Sequence, residues 1–281
     1  MGRDERPPSE TVEGTMASMS GNHPLLDDPE ILRYVFYPRK DDRPMPSVQN
    51  ATNVLVPVEG EISIGCRFYH AQERGPSILF FHGNGEIVSD YDFIAPLYAE
   101  RGLNLFVADY RGYGFSGGTP TVSAMIRDAH PILDYFLEFL KKNRYTGPVV
   151  VMGRSLGSAP ALELGSKHPD RLQGLIIESG FARTFDLLKS LGIPLPTPPP
   201  AEDTVVSNLQ KISQILLPTL VIHAERDHII PLQHGRDLYE ACPSRNKKLV
   251  IIPEANHNDL LMVGQAQYFE AIVDWVNGLI G

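Results

Sequence analysis

Ser155 is the residue around which chemistry can be built. It is the centre of Gly153-Arg154-Ser155-Leu156-Gly157, directly after the apolar run Val149–Met152 and ahead of a segment with helical character. A serine on a sharp strand-to-helix turn has its hydroxyl lifted above the end of a sheet, where a substrate can reach it. Glycines on both sides permit the turn and let strand and helix approach closely. The backbone N–H of Leu156 then lies at a helix N-terminus, where negative charge is favoured. Spacing alone is not selective, because Gly114-Phe115-Ser116-Gly117-Gly118 has the same form. Ser116, however, runs into Gly-Gly-Thr-Pro, which reads as a loop. Taken without partners, Ser155 could equally be an ordinary helix N-cap.

A serine hydroxyl needs a base to take its proton, and the base needs a third group to orient it. Both types follow Ser155. The apolar run 218–224 leads into Glu225-Arg226-Asp227-His228, and the apolar run 248–253 leads into Glu254-Ala255-Asn256-His257-Asn258-Asp259. An acid and a histidine therefore lie just past the ends of two strands, in the chain order Ser, Asp, His.

With these motifs in view the chain resembles the serine α/β-hydrolase superfamily, in which that order is expected. It is most similar to the small-lidded esterase, thioesterase and lipase-like group that includes the Bem46-like and depalmitoylase-like hydrolases. Four motifs carry the resemblance: Phe81-His82-Gly83-Asn84-Gly85, Asp109 to Ser116, Gly153 to Gly157, and Asp227 with His257-Asn258-Asp259. They span most of the chain and are far more specific together than singly.

The resemblance implies a role for each motif. Ser155, Asp227 and His257 form the catalytic triad. The backbone N–H of Asn84, just after His-Gly, joins that of Leu156 in an oxyanion hole. Asn84 is also a natural turn residue, and the two readings are compatible because only its backbone is used. His82 is read as structural, and Asp109 with Arg111 as a structural polar pair bracing the site. Among the acids, Asp227 leads because residues 224–231 resemble the family's Gly-x-x-Asp-x-x-Val-Pro. Glu178, at the end of an earlier strand, is the second candidate, and Glu225 falls on a variable position. Asp259 is expected to stabilise the histidine loop.

These groups need a sheet to hold them. Strand signals near 52–58, 61–70, 76–82, 103–109, 148–154, 172–178, 218–224 and 247–253 alternate with helical signals near 87–101, 121–143, 156–168, 231–241 and 263–279. This predicts an α/β fold with a mostly parallel eight-stranded sheet and helices on both faces, with ligands at the carboxyl ends of the strands. The segment 181–213 is longer than a compact crossover needs. By analogy with the family it is expected to be a small lid insertion, with Phe181, Leu187, Leu188 and Leu191 roofing an apolar pocket over Ser155. An ordinary surface excursion is the plainer alternative.

Bulk properties bound the rest. The chain has 281 residues, 42% hydrophobic and 21% charged, with a formal net charge of −9. This suits one globular catalytic domain, taken as 31–281, preceded by a flexible polar tail, 1–30. The acidic balance argues against nucleic acid or anionic membrane surfaces as partners. No stretch approaches the ~18 apolar residues of a membrane span, and residues 1–30 lack a signal-peptide core. Cys66 and Cys242 stand alone, which suits free thiols in a reducing, cytoplasmic setting. The histidines show no metal-ligand spacing, so neither metal nor cofactor is expected. The oligomeric state is left open.

The predicted activity is hydrolysis of a small-molecule carboxylic ester or thioester through an acyl-enzyme on Ser155. The competing readings are an amidase or peptidase on the same fold and a non-catalytic binding protein that kept it.

Overall fold

Eight strands form one sheet in the order β1-β2-β4-β3-β5-β6-β7-β8. In the computed structural model, which describes residues 23–41, 45–193, 195 and 206–279, they are β1 Ala51–Glu59, β2 Ile62–Tyr69, β3 Ser77–Phe81, β4 Asn104–Ala108, β5 Val149–Arg154, β6 Gly174–Glu178, β7 Thr219–Ala224 and β8 Lys247–Ile252. β2 is antiparallel to both β1 and β4, and β3 to β8 pair in parallel. The mostly parallel eight-stranded sheet expected from the sequence is present.

The inner strands read as unbroken apolar runs because both of their faces are covered. Along β3, Leu79 and Phe81 face one core while Ile78 and Phe80 face the other. The first core is closed by α3 (Val122–Lys142) and α4 (Ser158–Lys167), the second by α2 (Ala95–Ala99) and α8 (Leu260–Asn277). The helix α7 (Leu232–Ala241) bridges β7 and β8. Both cysteines are buried free thiols.

Three local features depart from the sequence reading. The helix expected over 87–101 is split into a 3-10 turn, Val88–Phe93, and the short α2. Pro96 opens α2 and cannot accept a helix running into it from before. The expected tail 1–30 falls mostly outside the described residues, but its last part is packed: Leu26 is buried. The boundary at residue 31 lies inside α1 (Pro29–Val35), which is capped by the Asp28 carboxylate on the Glu30 N–H at 2.7 Å. Finally, the stretch 181–213 holds α5 (Thr184–Ser190) and α6 (Asn208–Ile212). Its proline-rich part, 194 and 196–205, lies outside the described residues.

Candidate active site

Parallel pairing brings the carboxyl ends of β3, β5, β6, β7 and β8 side by side. Phe81 is in register with Gly153, Arg154 with Glu178, and Ala224 with Ile252. The chemistry-bearing residues leave the sheet from this edge.

β5 ends at Arg154, and Ser155 follows with φ of 53°. A non-glycine residue in this left-handed region is strained by roughly 1–3 kcal/mol and persists only where the surroundings impose it. Here they do. A Cβ at Gly153 would lie 2.1 Å from the carbonyl oxygen of Gly157, and one at Gly157 would lie 2.0 Å from that of Phe81. Both glycines are required by close packing of the elbow against α4 and β3. Ser158 fastens the turn by donating from its hydroxyl to the Ser155 carbonyl at 2.7 Å.

The strained serine meets the other two candidate groups. The Ser155 hydroxyl is 2.9 Å from His257 Nε2, and His257 Nδ1 is 2.7 Å from Asp227 Oδ2. With Asp227 as acceptor, Nδ1 carries the ring proton and Nε2 is left free to accept from the serine. All three residues are buried. Burial works against charge on Asp227. Donation from His257 and from the Ile230 N–H at 2.8 Å outweighs it, holding the carboxyl below the usual carboxylate range. The turn that presents Asp227 is braced by His223, whose Nε2 donates to the Ile230 carbonyl at 2.8 Å. The arrangement can draw a proton from Ser155, store it on an imidazole, and stabilise the resulting cation.

Glu178, the second acid, does not reach His257. Its carboxylate accepts from Arg154 Nε at 3.1 Å and from the Tyr268 hydroxyl at 2.8 Å. Ser116 is also elsewhere, its hydroxyl accepting from the Gly65 N–H at 2.8 Å. Asp259 accepts from the Asn256 N–H at 2.6 Å, within the histidine loop.

His82 lies beneath the Gly83-Asn84-Gly85 turn with both ring nitrogens on acceptors: the Gly83 carbonyl at 2.8 Å and Asp109 Oδ1 at 3.1 Å. Burial opposes a charge on this ring, but Asp109 and Glu86 outweigh it and raise its pKa. The expected Asp109–Arg111 pair does not form. Asp109 is taken by His82 and by the Val88 N–H at 2.9 Å. Arg111 points the other way, bidentate to Asp128 at 2.7 Å. Two residues apart in a loop, the side chains diverge.

The sequence reading passed over Arg154, the variable position of the Gly-x-Ser-x-Gly pattern. Besides Glu178 it pairs with Glu86 and donates to the His257 carbonyl at 2.8 Å. Glu86 in turn accepts from the Gly83 N–H at 2.9 Å and the Tyr91 hydroxyl at 2.8 Å. One guanidinium thus ties the elbow strand to the histidine loop and, through Glu86, to the turn after β3. Burial is overcome at Glu86 by Arg154, which lowers its pKa, whereas burial prevails at Glu178 and raises it.

On the opposite side of Ser155 lies an apolar cavity of about 120 Å³. Asn84, Leu156, Phe181, Leu187, Leu188 and Leu191 all line it. Leu26, Tyr34 and Val35, from α1 and the segment before it, supply a further wall. A second cavity, a vestibule of about 350 Å³ bordered by Tyr34, Tyr37, Arg154 and Asn258, also reaches Ser155 and His257. Among the described residues there is no group of side chains that could hold a metal ion. Nor, among them, is any helix long and apolar enough to cross a membrane.

Comparison with known proteins identifies the family and the fold. A family model described as serine aminopeptidase, S33, matches residues 72–191 and 201–261. Protein bem46 of Schizosaccharomyces pombe is 30% identical over 218 residues, covering 73% of this chain and 68% of that protein. Among solved structures, a Pyrococcus furiosus esterase superposes with a TM-score of 0.65 at 17% identity, covering 82% of this chain and 93% of that one. A soluble variant of the Saccharomyces cerevisiae monoglyceride lipase, in complex with a substrate analog, gives 0.65 at 14% identity, with 84% and 97% covered. At such identities the two structures establish the fold. The family match starts before β3 and ends beyond His257, so it takes in the whole polar edge of the cleft: the chain belongs to the α/β-hydrolase family and is Bem46-like within it.

Proposed function

We propose that the protein is a serine hydrolase that cleaves carboxylic esters or thioesters through an acyl-enzyme. The observation that carries this reading is the unbroken line from Ser155 through His257 to Asp227, opening onto an apolar cavity. Ser155 Oγ attacks the acyl carbon as its proton passes to His257 Nε2. The tetrahedral oxyanion is received by the backbone N–H groups of Asn84 and Leu156, each such donor being worth about 3–4 kcal/mol. His257 then gives the proton to the departing alcohol or thiol, leaving the acyl group on Ser155. Water repeats the sequence and releases the acid. Throughout, Asp227 holds the Nδ1 tautomer and stabilises the imidazolium. A non-catalytic binding protein would have no need of the strained Ser155 backbone, which supports an enzyme.

The aminopeptidase in the matched family's description favours a second reading, cleavage of an amino-terminal residue. Such a substrate brings an ammonium group that needs a carboxylate beside the serine. Among the described residues, the apolar cavity and the vestibule contain no Asp or Glu. The test is a panel of p-nitrophenyl esters and acyl-CoA thioesters set against aminoacyl p-nitroanilides. The expected result is turnover of esters or thioesters with kcat/KM at least about 10²-fold above any anilide, the scale on which a site rejects a group that it leaves unpaired. Faster turnover of the anilides would move the protein to the peptidase reading.

A further inference from the structure

The turn that carries Asn84 is anchored at Gly83, whose N–H donates to Glu86 and whose carbonyl accepts from His82. Gly83 and Gly85 flank Asn84, Gly85 has φ of 78°, and a Cβ placed on Gly85 would meet nothing within 4 Å. The Asn84 side chain takes further support from an earlier segment of the chain. Phe36 is extended, with φ of −121° and ψ of 133°, so alternate residues of the segment 35–39 address one side. That side is the Asn84 turn. Asn84 Nδ2 donates to the Val35 carbonyl at 2.8 Å, and Asn84 Oδ1 accepts from the Tyr37 N–H at 3.0 Å. The same oxygen accepts from the Tyr113 hydroxyl at 2.7 Å, and that hydroxyl shares the Tyr37 N–H with it, accepting at 2.9 Å. Two residues on, Arg39 Nε donates to the Gly85 carbonyl at 3.3 Å, and its guanidinium pairs with Asp90.

The segment is itself tied down from behind. Phe36 is buried and packs edge-on against Tyr113, with ring centroids 6.4 Å apart. The Gly114 N–H donates to the Arg39 carbonyl at 2.8 Å, and the Asp41 N–H donates to the Gly114 carbonyl at 3.2 Å. A short amide side chain offers one donor and one acceptor to neighbouring backbone groups on the same edge of an extended segment. The segment itself, residues 35–41, lies ahead of residue 72, where the family match begins.

We propose that residues 35–39 form a strap that sets the position of the Asn84 backbone through its side chain, making the Asn84 amide and the Tyr37 N–H positioning groups for hydrolysis. The inference rests on the reading that the Asn84 N–H receives the oxyanion. A donor displaced by about 1 Å can cost on the order of 10²-fold in rate. Asn84 and Val35 also line the apolar cavity, but the oxyanion that the Asn84 N–H receives develops only after binding, so the larger loss falls on kcat.

The experiment compares wild type with Asn84→Ala, Tyr37→Pro, Tyr37→Ala and the double variant Asn84→Ala/Tyr37→Pro. Each is assayed on a short p-nitrophenyl ester, with a thermal melt to verify folding. Tyr37→Pro deletes the strap's donor, at a position where the side chain is exposed and the extended Phe36 suits a residue before proline. Asn84→Ala is expected to lower kcat by about 10- to 100-fold, with KM changed by less than about threefold. Tyr37→Pro is expected to lose more than Tyr37→Ala, which keeps the N–H. Because both changes break one clasp, the double variant is expected to be no worse than Asn84→Ala. Fluorophosphonate labelling of Ser155 is expected to slow in these variants yet reach completion, since the Ser155–His257 pair is untouched. Unchanged kcat in folded variants, a loss confined to KM, or multiplying losses in the double variant would each overturn the strap while leaving the hydrolase reading standing. Should Asn84→Ala fail to fold, equal kcat for Tyr37→Pro and Tyr37→Ala would overturn it as well. A wild-type protein that neither hydrolyses esters nor takes the label would remove both.

Discussion

On the sheet side of Ser155, polar groups are bonded to one another at every step: Asp227 to His257 and Ile230, Arg154 to Glu86, Glu178 and the His257 carbonyl. On the far side, α1, the segment before it and α5 present Leu26, Val35, Leu187 and Leu188, which have no polar side-chain atoms at all. The first wall grows out of strand ends whose positions are set by sheet register. The second is made of short helices in connecting segments, held mainly by burial of their apolar faces. The contrast separates two jobs. A reaction that moves protons over distances near 2.8 Å needs groups with no freedom to shift. An apolar pocket needs only shape, so it can be built from segments that vary.

The largest effects are expected on the sheet side. Asp227→Asn leaves the geometry in place but favours the wrong imidazole tautomer. The serine-protease precedent for the same change is a loss of about 10⁴ in kcat. Glu178→Gln, by contrast, is expected to cost less than about tenfold in rate, because Glu178 reaches His257 only through Arg154. Steady-state rates of the two variants decide the matter, and a larger loss at Glu178 would erase the division between the two acids.

Changes in the apolar wall should be smaller and should depend on the substrate. Replacing Leu187 and Leu191 by Ala removes methylene contacts worth up to about 0.8 kcal/mol each. The expected outcome is a lower kcat/KM for longer acyl esters with acetate esters little affected. The ratio of the two in variant and parent is the measurement. An unchanged ratio in a folded variant would mean that these side chains do not contact the acyl chain.

The smallest effect concerns how α6, at the end of the 181–213 stretch, is fastened to α4. Glu163 of α4, directly behind the elbow, pairs with Lys211 of α6 at 2.6 Å. Burial raises the Glu163 pKa, but His130 and Lys211 outweigh it and hold it near about 2. A carboxyl depressed in the folded state contributes stability above its unfolded value of about 4.3, and that contribution is lost as pH falls toward 2. Burying the Lys211 ammonium, whose pKa is lowered, offsets part of the gain, so the net is on the order of 1 kcal/mol. Thermal melts between pH 5 and 3 should show stability falling with pH, and Glu163→Gln should flatten that slope.

The same contrast governs what could be read from the residues alone. The reacting positions were legible because each carries a mark in its own neighbourhood: Gly153 and Gly157 announce the elbow, and Asp227 and His257 each follow an apolar strand. Ser116 could be set aside on its Gly-Gly-Thr-Pro continuation. What escaped were partnerships between distant positions. Arg154 meets Glu86, 68 residues earlier, and the His257 carbonyl, 103 later; no local pattern marks either. The diverging directions of Asp109 and Arg111 depend on a loop path set by tertiary contacts. The helix α1 is only seven residues long, inside a polar leader, and its value lies in what it covers. Its amphipathic signal is too brief to separate from loop.

Everything turns on Ser155 as the reacting group. The most direct measurement is exposure of the folded protein to a fluorophosphonate probe, followed by peptide mapping of the labelled site, in wild type and in Ser155→Ala. The expected result is stoichiometric label on Ser155 in wild type, none in Ser155→Ala, and loss of ester turnover in the same variant with its melting temperature preserved. Label on Ser116 or any other residue, or turnover that survives Ser155→Ala, would contradict the assignment of the site.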